Sequence, residues 1–433
     1  MSHARFRAPI LLFSLPLLAC SCTQFTHFNA KPLDVDVSAA SLTQRRLSRH
    51  SWTLQSLTEY ARTHHPDIAV ARAKYALAVA AVRSAGERPN PTAALSPQIV
   101  TPWTKWIAGT YGIDFDWTFE TAGKRNQRQL AAHTQVGAAA ANVIDTTWKV
   151  HSAVRKAFLD VYTAGQRSKL LSDAIAQQAE LLAALDDRVK AGSESRSATT
   201  QARLLQAQMR LQAAENARLA AIARASLAEA LGLGLQGIDG ADFSFAAFES
   251  SSHSVPGKHQ ALTHRADVLA ALAEYATAEA NLRLEIAKQY PDLHLNPGYA
   301  LDAGENKWTL GIGLTLPILN HNQGAIGEAE AKRKQAAATF DAVQAKALAE
   351  YDRAATALAA TTTKLATTHV LLDEQTQQVA SEERLLQAGS GDRAALLSAH
   401  VERATTRIAR IDALADIQAA VTELEAATQT HTP

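Results

Sequence analysis

The chain carries the same pattern twice. Ala191-Gly192-Ser193 and Ala388-Gly389-Ser390 lie 197 positions apart, and Gln178 falls on Gln375 at the same spacing. Pro91 and Pro97 recur 200 positions on, as Pro291 and Pro297. The three-residue difference fits a change in a hairpin loop. A fold for this chain must therefore place one unit twice. The unit reads helix, strand, strand, long helix, tip, helix. The first repeat covers 51–231 and the second 261–428, with a Gly-, Ser- and Phe-rich surface linker at 232–260 and a short tail at 429–433.

The long helices announce themselves by a heptad. Val150, Val154, Ala157, Val161, Ala164, Ser168, Leu171, Ile175, Gln178, Leu182, Leu185 and Val189 alternate steps of four and three, and Ala347 to Leu386 repeats the seam. The chain has only 13 Pro and 20 Gly in 433 residues, so little interrupts such helices. About 65–70 helical residues at ~1.5 Å each span about 100 Å. The fold class expected is mainly α with a small membrane β part.

Four segments follow a different rule. Residues 92–101, 108–120, 292–302 and 307–318 alternate apolar and polar side chains, which is the period of a strand. Each is about the length a tilted strand needs to cross a bilayer. Trp103, Trp106, Trp117 and Trp308 lie in or beside them, and Trp favours the membrane–water interface. Four strands cannot close a barrel, and open edges are not tolerated in lipid. Several chains must then share one barrel, and three would supply twelve strands. A pair of soluble hairpins packed on a helical bundle is the competing arrangement.

Residues 1–19 read as an export signal. Arg5 and Arg7 precede an apolar run, Ala8 to Ala19, that is too short to span a bilayer. Leu17-Leu18-Ala19-Cys20 resembles the bacterial lipoprotein box, which implies that Cys20 is acylated and becomes the mature N-terminus; Cys22 is a weaker match. Residue 21 is Ser, so the Asp that would suggest inner-membrane retention is missing. Residues 20–50 are then a lipid-anchored tether. The rest of the chain has no cysteine, hence no disulfide framework and no thiolate metal site.

The whole pattern, from about Trp52 to Thr428, resembles the TolC-type outer-membrane efflux channels. The resemblance rests on the duplication, the stops at Asn90-Pro91 and Tyr290-Pro291, and the Ala-Gly tips. Leu316-Pro317-Ile318-Leu319-Asn320-His321-Asn322-Gln323-Gly324, followed by Ile326 and Ala329-Glu330-Ala331, is similar to the cobalt–zinc–cadmium resistance subgroup. The resemblance implies a homotrimer with a twelve-stranded barrel in the outer-membrane lipid and a long periplasmic α-barrel, most of the mass being periplasmic. It implies a passive conduit from periplasm to exterior that docks on a periplasmic adaptor, itself linked to a proton-driven inner-membrane pump. Divalent heavy-metal cations are the expected cargo. Channels for drugs or organic compounds, and a periplasmic adaptor lipoprotein, are the alternatives.

Within that reading, Ala191, Gly192, Ser193, Ala388, Gly389 and Ser390 are the adaptor-docking tips. Glu194, Arg196, Asp392 and Arg393 are candidates for a periplasmic gate, and Asp114, Asp116, Glu120 and Asp302 for lumen-facing strand positions. No catalytic motif occurs in a convincing setting, and neither cofactor nor metal ligands are assigned; His64-His65, His294 and His321 read as polar surface or lining. The net charge of +1 gives no reason to expect nucleic acid.

Overall fold

The computed structural model describes residues 29–99, 109–248, 257–302 and 304–431. The export segment, Cys20, Cys22, Trp103 and Trp106 lie outside the described residues. The chain divides into two units, 1–45 and 46–433. In the first, α1 (Val35–Gln44) starts at Asp34, whose carboxylate accepts the Asp36 and Val37 N–H groups at 2.9 and 3.2 Å.

The second unit begins inside what reads as tether. Leu47 is buried and its N–H donates to Gly237 O at 2.8 Å. It continues as β1 (Ser51–Trp52), α2 (Leu54–His64), α3 (Pro66–Ala85), β2 (Thr92–Ile99), β3 (Gly109–Phe119), α4 (Lys124–Lys190) and α5 (Arg196–Ala230). After β4 (Asp242–Phe243) come α6 (Lys258–Thr263), α7 (Ala266–Ala287), β5 (Leu293–Asp302), β6 (Glu305–Leu314), α8 (Gln323–Gln387) and α9 (Arg393–Thr428). Helices α4 and α8 have 67 and 65 residues, α5 and α9 have 35 and 36. The two long helices are thus each about 100 Å in length.

Helix α4 packs on α3, α5, α7 and α9, and α8 on α7 and α9. From Ala347 on, the buried positions of α8 fall on its heptad seam, Ala354, Leu365 and Val379 among them. Helix α4 buries the seam residues Val154, Ala164 and Leu171 but also Phe158, Leu159, Ala174 and Leu181 off it, because it is packed on several sides. Two buried polar side chains pin α4 to α5. Gln178 Nε2 donates to Ala202 O at 2.9 Å, and Asn216 Nδ2 donates to Ala164 O at 3.0 Å. A sliding helix would leave these amides unpaired in an apolar seam, so they set the register.

The part of the expected surface linker 232–260 that runs from 232 to 248 does not lie on the surface. Ile238 and Phe248 are fully buried, and Phe243 and Phe245 pack with Phe248 around Phe158, at ring separations of 4.7–5.7 Å. Strand β4 pairs in parallel with β1, Trp52 opposite Phe243. This segment closes a core shared by α2, α4 and α5.

The remaining strands form one antiparallel sheet in the order β2-β3-β5-β6. Their bounds differ from the alternation. Strand β6 ends at Leu314, not 318, because Pro317 has no N–H to give a ladder and Ile318 N–H turns back to Leu316 O. It begins earlier, at Glu305, because Gly304 at φ +93° makes a tight turn that pairs Glu305 with Asp302. Strand β3 ends at Phe119, so Glu120 is not a strand residue.

Candidate functional site

The sheet has two unlike faces. One carries Leu95, Tyr111, Phe115, Trp117, Trp308 and Leu310, all exposed in the isolated chain, Trp308 to 80%. An antiparallel sheet in water hides its apolar face. Here the helices leave that face open, and among the described residues the sheet's two edges, β2 and β6, have no strand beside them.

The other face is a polar network. Ser96 Oγ donates to Asp114 at 2.9 Å, and Thr110 Oγ1 donates to Asp302 at 2.7 Å. Lys307 pairs with Asp302, and Asp116 lies 3.1 Å from His294 Nδ1. A Cβ at Gly298 would collide with Asp114 and Thr309, so that glycine is what lets the carboxylate lie across β5. Asp114, Asp116 and Asp302 therefore share one face, as alternation requires. Glu120 does not join them: it sits in the turn after β3 and forms a two-pronged ion pair with Arg128 of α4.

The same turn anchors the sheet to the helices. Lys124, buried at the start of α4, donates to Tyr290 O and to Asp292, both at 2.7 Å. Thr121 N–H donates to Asp292 at 3.0 Å, and its hydroxyl to Pro291 O at 2.6 Å. The first repeat's helix start thus grips the second repeat's strand start. Both long helices begin after a left-handed residue, Gly123 (φ +70°) and Asn322 (φ +63°). Asn322 holds that conformation by donating to Glu285 O at 2.8 Å, which gives a structural reason for the Asn in the 316–324 motif.

The tips are twin helix ends. Gly192 and Gly389 have φ of +72° and +75°. Ser193 N–H reaches back to Arg188 O at 2.9 Å and Ser390 N–H to Leu385 O at 3.1 Å; the glycine N–H groups bond Val189 O and Leu386 O. This is the Schellman pattern, which satisfies the last carbonyls and needs a residue without Cβ strain. Arg188 joins the two tips: it bonds Asp392 at 2.5 Å and approaches Glu194 at 3.6 Å. Asp392 also caps α9, accepting from Ala394 N–H at 2.9 Å. That bond and the Arg188 guanidinium hold its carboxyl below the usual carboxylate range. Two of the four gate candidates, Glu194 and Asp392, are therefore brought together; neither Arg196 nor Arg393 takes part in that cluster. Arg188 escaped the sequence reading, although a basic residue in a helix's last turn is a recognisable signal.

The lone histidines have structural partners. His64 stacks on Tyr60 with ring centroids 4.4 Å apart, and His65 caps α3 by accepting from Asp67 N–H at 3.2 Å. Among the described residues no helix is long and apolar enough to cross a membrane.

This architecture has known relatives. The family model described as outer membrane efflux protein matches residues 57–233 and 258–429. The chain belongs to the outer membrane efflux protein family, a family of TolC-type channels and not of enzymes. It is 29% identical over 213 residues to the cobalt-zinc-cadmium resistance protein CzcC of Cupriavidus metallidurans. That alignment covers 47% of this chain and 49% of CzcC, so the chain spans about half the length of this curated relative. The fold is similar to the outer membrane protein VceC of Vibrio cholerae, at 19% identity and a TM-score of 0.70 over 87% of this chain and 96% of that one. It is also similar to CusC, at 18% identity and a TM-score of 0.71 over 87% and 91%.

Proposed function

We propose that three copies of this chain close a twelve-stranded barrel in the outer membrane and continue as a helical tube in the periplasm, forming a passive exit for divalent heavy-metal cations. The observation that carries this reading is the sheet: four strands, two open edges and one exposed apolar face. Lipid cannot solvate open edges, and a ring of three such sheets pairs every β2 with a neighbour's β6. The apolar face then meets lipid, and the face with Asp114, Asp116 and Asp302 lines the lumen. Glu120 is dropped from that lining because Arg128 holds it at the barrel's base.

Three points support metal cations as cargo. The first is the likeness to a protein named for cobalt, zinc and cadmium resistance. The second is the 316–324 motif. The third is the carboxylate-bearing polar face, which attracts cations. The tips Ala191-Gly192-Ser193 and Ala388-Gly389-Ser390 dock a periplasmic adaptor, six tips per trimer, and that adaptor links the channel to a proton-driven inner-membrane pump. Arg188, Glu194 and Asp392 tie the tips within each chain and so hold the periplasmic end in its narrow state. The test is genetic. Deleting the channel should lower tolerance to Zn2+, Co2+ and Cd2+, with metal accumulating in the periplasm, and leave tolerance to organic drugs unchanged. Loss of drug tolerance alone would reassign the cargo.

Anchoring follows from Leu17-Leu18-Ala19-Cys20. Acylation at Cys20 would fix each chain to the outer-membrane lipid, with most of its mass in the periplasm. Cys20→Ala should abolish incorporation of a fatty-acid analogue and shift the processed N-terminus. Undiminished incorporation would move the site to Cys22 or remove the anchor.

A further inference from the structure

A side-chain cluster far from the sheet and the tips has the composition of a metal site. His151 of α4, Glu425 of α9 and His431 beyond α9 each offer one ligand atom, and the three atoms lie within 4.8 Å of one another. Two imidazoles and a carboxylate are a common ligand set for Zn2+ and neighbouring first-row divalent ions. We propose that His151, Glu425 and His431 bind a divalent transition-metal cation, with water in the remaining position. The inference is independent of what the channel carries.

The chain builds this site with some care. Gln429 takes a left-handed turn (φ +49°) that ends α9 and sends the chain back over α4. Its side chain is held at both ends, donating to Asp145 at 3.2 Å and accepting from Ala266 N–H at 2.6 Å. The turn therefore delivers His431 to one place. Trp148 packs against both imidazoles, at 5.3 Å from His151 and 4.9 Å from His431. His151 is mostly buried, yet among the described residues its Nε2 has no hydrogen-bond partner, and it faces Glu425 at 3.8 Å. A buried ring nitrogen without a partner is costly unless something else occupies its lone pair.

Arg155 acts in two ways. It donates to Glu425 at 2.9 Å, which orients the carboxylate. A carboxylate has lone pairs enough for both a guanidinium and a cation. Its positive charge also opposes a second cation, so the site should be exchangeable and not a permanent structural centre. The adjoining cavity of about 480 Å³ gives an ion and its water an entry path. Zinc at ~2.0–2.1 Å from each ligand needs them closer together than 4.8 Å. His431 is the exposed member, so a change of its side-chain rotamer is enough to close that gap.

The experiment is equilibrium dialysis of the chelator-washed, detergent-purified full-length protein against Zn2+ alone. The wild type should bind roughly one ion per chain at this site. His431→Ala removes a ligand beyond the last helix and leaves the fold in place, and it should remove that ion. His151→Ala should do the same, while His64→Ala should not. Co2+ should give a visible d–d absorption band in the wild type that His431→Ala abolishes. Retention of the full equivalent of Zn2+ by His431→Ala and His151→Ala would overturn the proposal, as would a wild type that binds none.

Discussion

Leu310→Arg should abolish the assembled channel, and Thr309→Arg should leave most of it intact. The two residues are neighbours on β6, so local strand propensity hardly separates them. Leu310 projects from the apolar face with Trp308, is 67% exposed in the single chain, and sits at the middle of the strand. In the proposed barrel it would meet lipid near mid-bilayer, where an Arg costs about 2–4 kcal/mol per copy. With three copies in the proposed barrel, the penalty would apply three times in each assembly. Thr309 lies on the opposite face, beside Asp114 across Gly298. An Arg there enters water next to a carboxylate. Heat-stable oligomer in outer-membrane fractions is the readout. Equal yields from the two variants would mean that the apolar face does not meet lipid.

Gly192→Leu or Gly389→Leu should disconnect the channel from its pump without dismantling it. Both glycines have positive φ, so an L-residue costs about 1–2 kcal/mol locally. That is small beside the packing of helices as long as α4 and α8. A Cβ at either position meets nothing within 4 Å, so the new side chain projects into open space at the tip. A docking partner would find it in the way. Gly391 supplies the contrast, because a Cβ there would collide with the backbone of Leu385 and Leu386. Gly391→Leu should therefore damage the turn itself and lower the amount of protein. Oligomer abundance, adaptor cross-linking and metal tolerance are measured in the same cells. The docking reading expects normal oligomer with lost cross-linking and lost tolerance for the two tip variants. Unimpaired cross-linking would remove docking at the tips; a parallel fall of all three would reduce the tips to ordinary turns.

What the amino-acid order reveals here follows from the range of the interactions. The heptad seams are local and periodic, and they mark the buried line of α8 but only part of that of α4, where Phe158 and Ala174 are buried off the seam by partners distant in sequence. Strand β3 is equally plain, since Tyr111, Ile113, Phe115, Trp117 and Phe119 alternate without a break. Alternation fails at its ends. It runs on through Thr315 and Pro317, where the missing N–H stops the ladder, and through Glu120, which Arg128 draws into a turn. It also misses Glu305 and Asn306, which pair only because Gly304 permits a tight hairpin. The 232–260 segment was illegible for another reason. Phe243, Phe245 and Phe248 fit neither period, and their partner Phe158 lies far away in the chain. The same distance hides Arg188–Asp392, 204 residues apart, and the His151–Glu425–His431 cluster. Each of these sites is made by helix packing and has no spacing motif.

In the proposed trimer, β2 of one chain pairs with β6 of the next until three chains close. Single cysteines at Ala94 or Gln98 on β2 and at Lys307 or Thr309 on β6, all on the polar face, test it directly. They are combined in pairs within one chain carrying Cys22→Ser, and membranes are oxidised before non-reducing electrophoresis. Inter-chain disulfides are expected in at least one of these pairs, giving a ladder that stops at the trimer. A ladder that runs past three chains, or no inter-chain disulfide in any pair, would contradict that pairing.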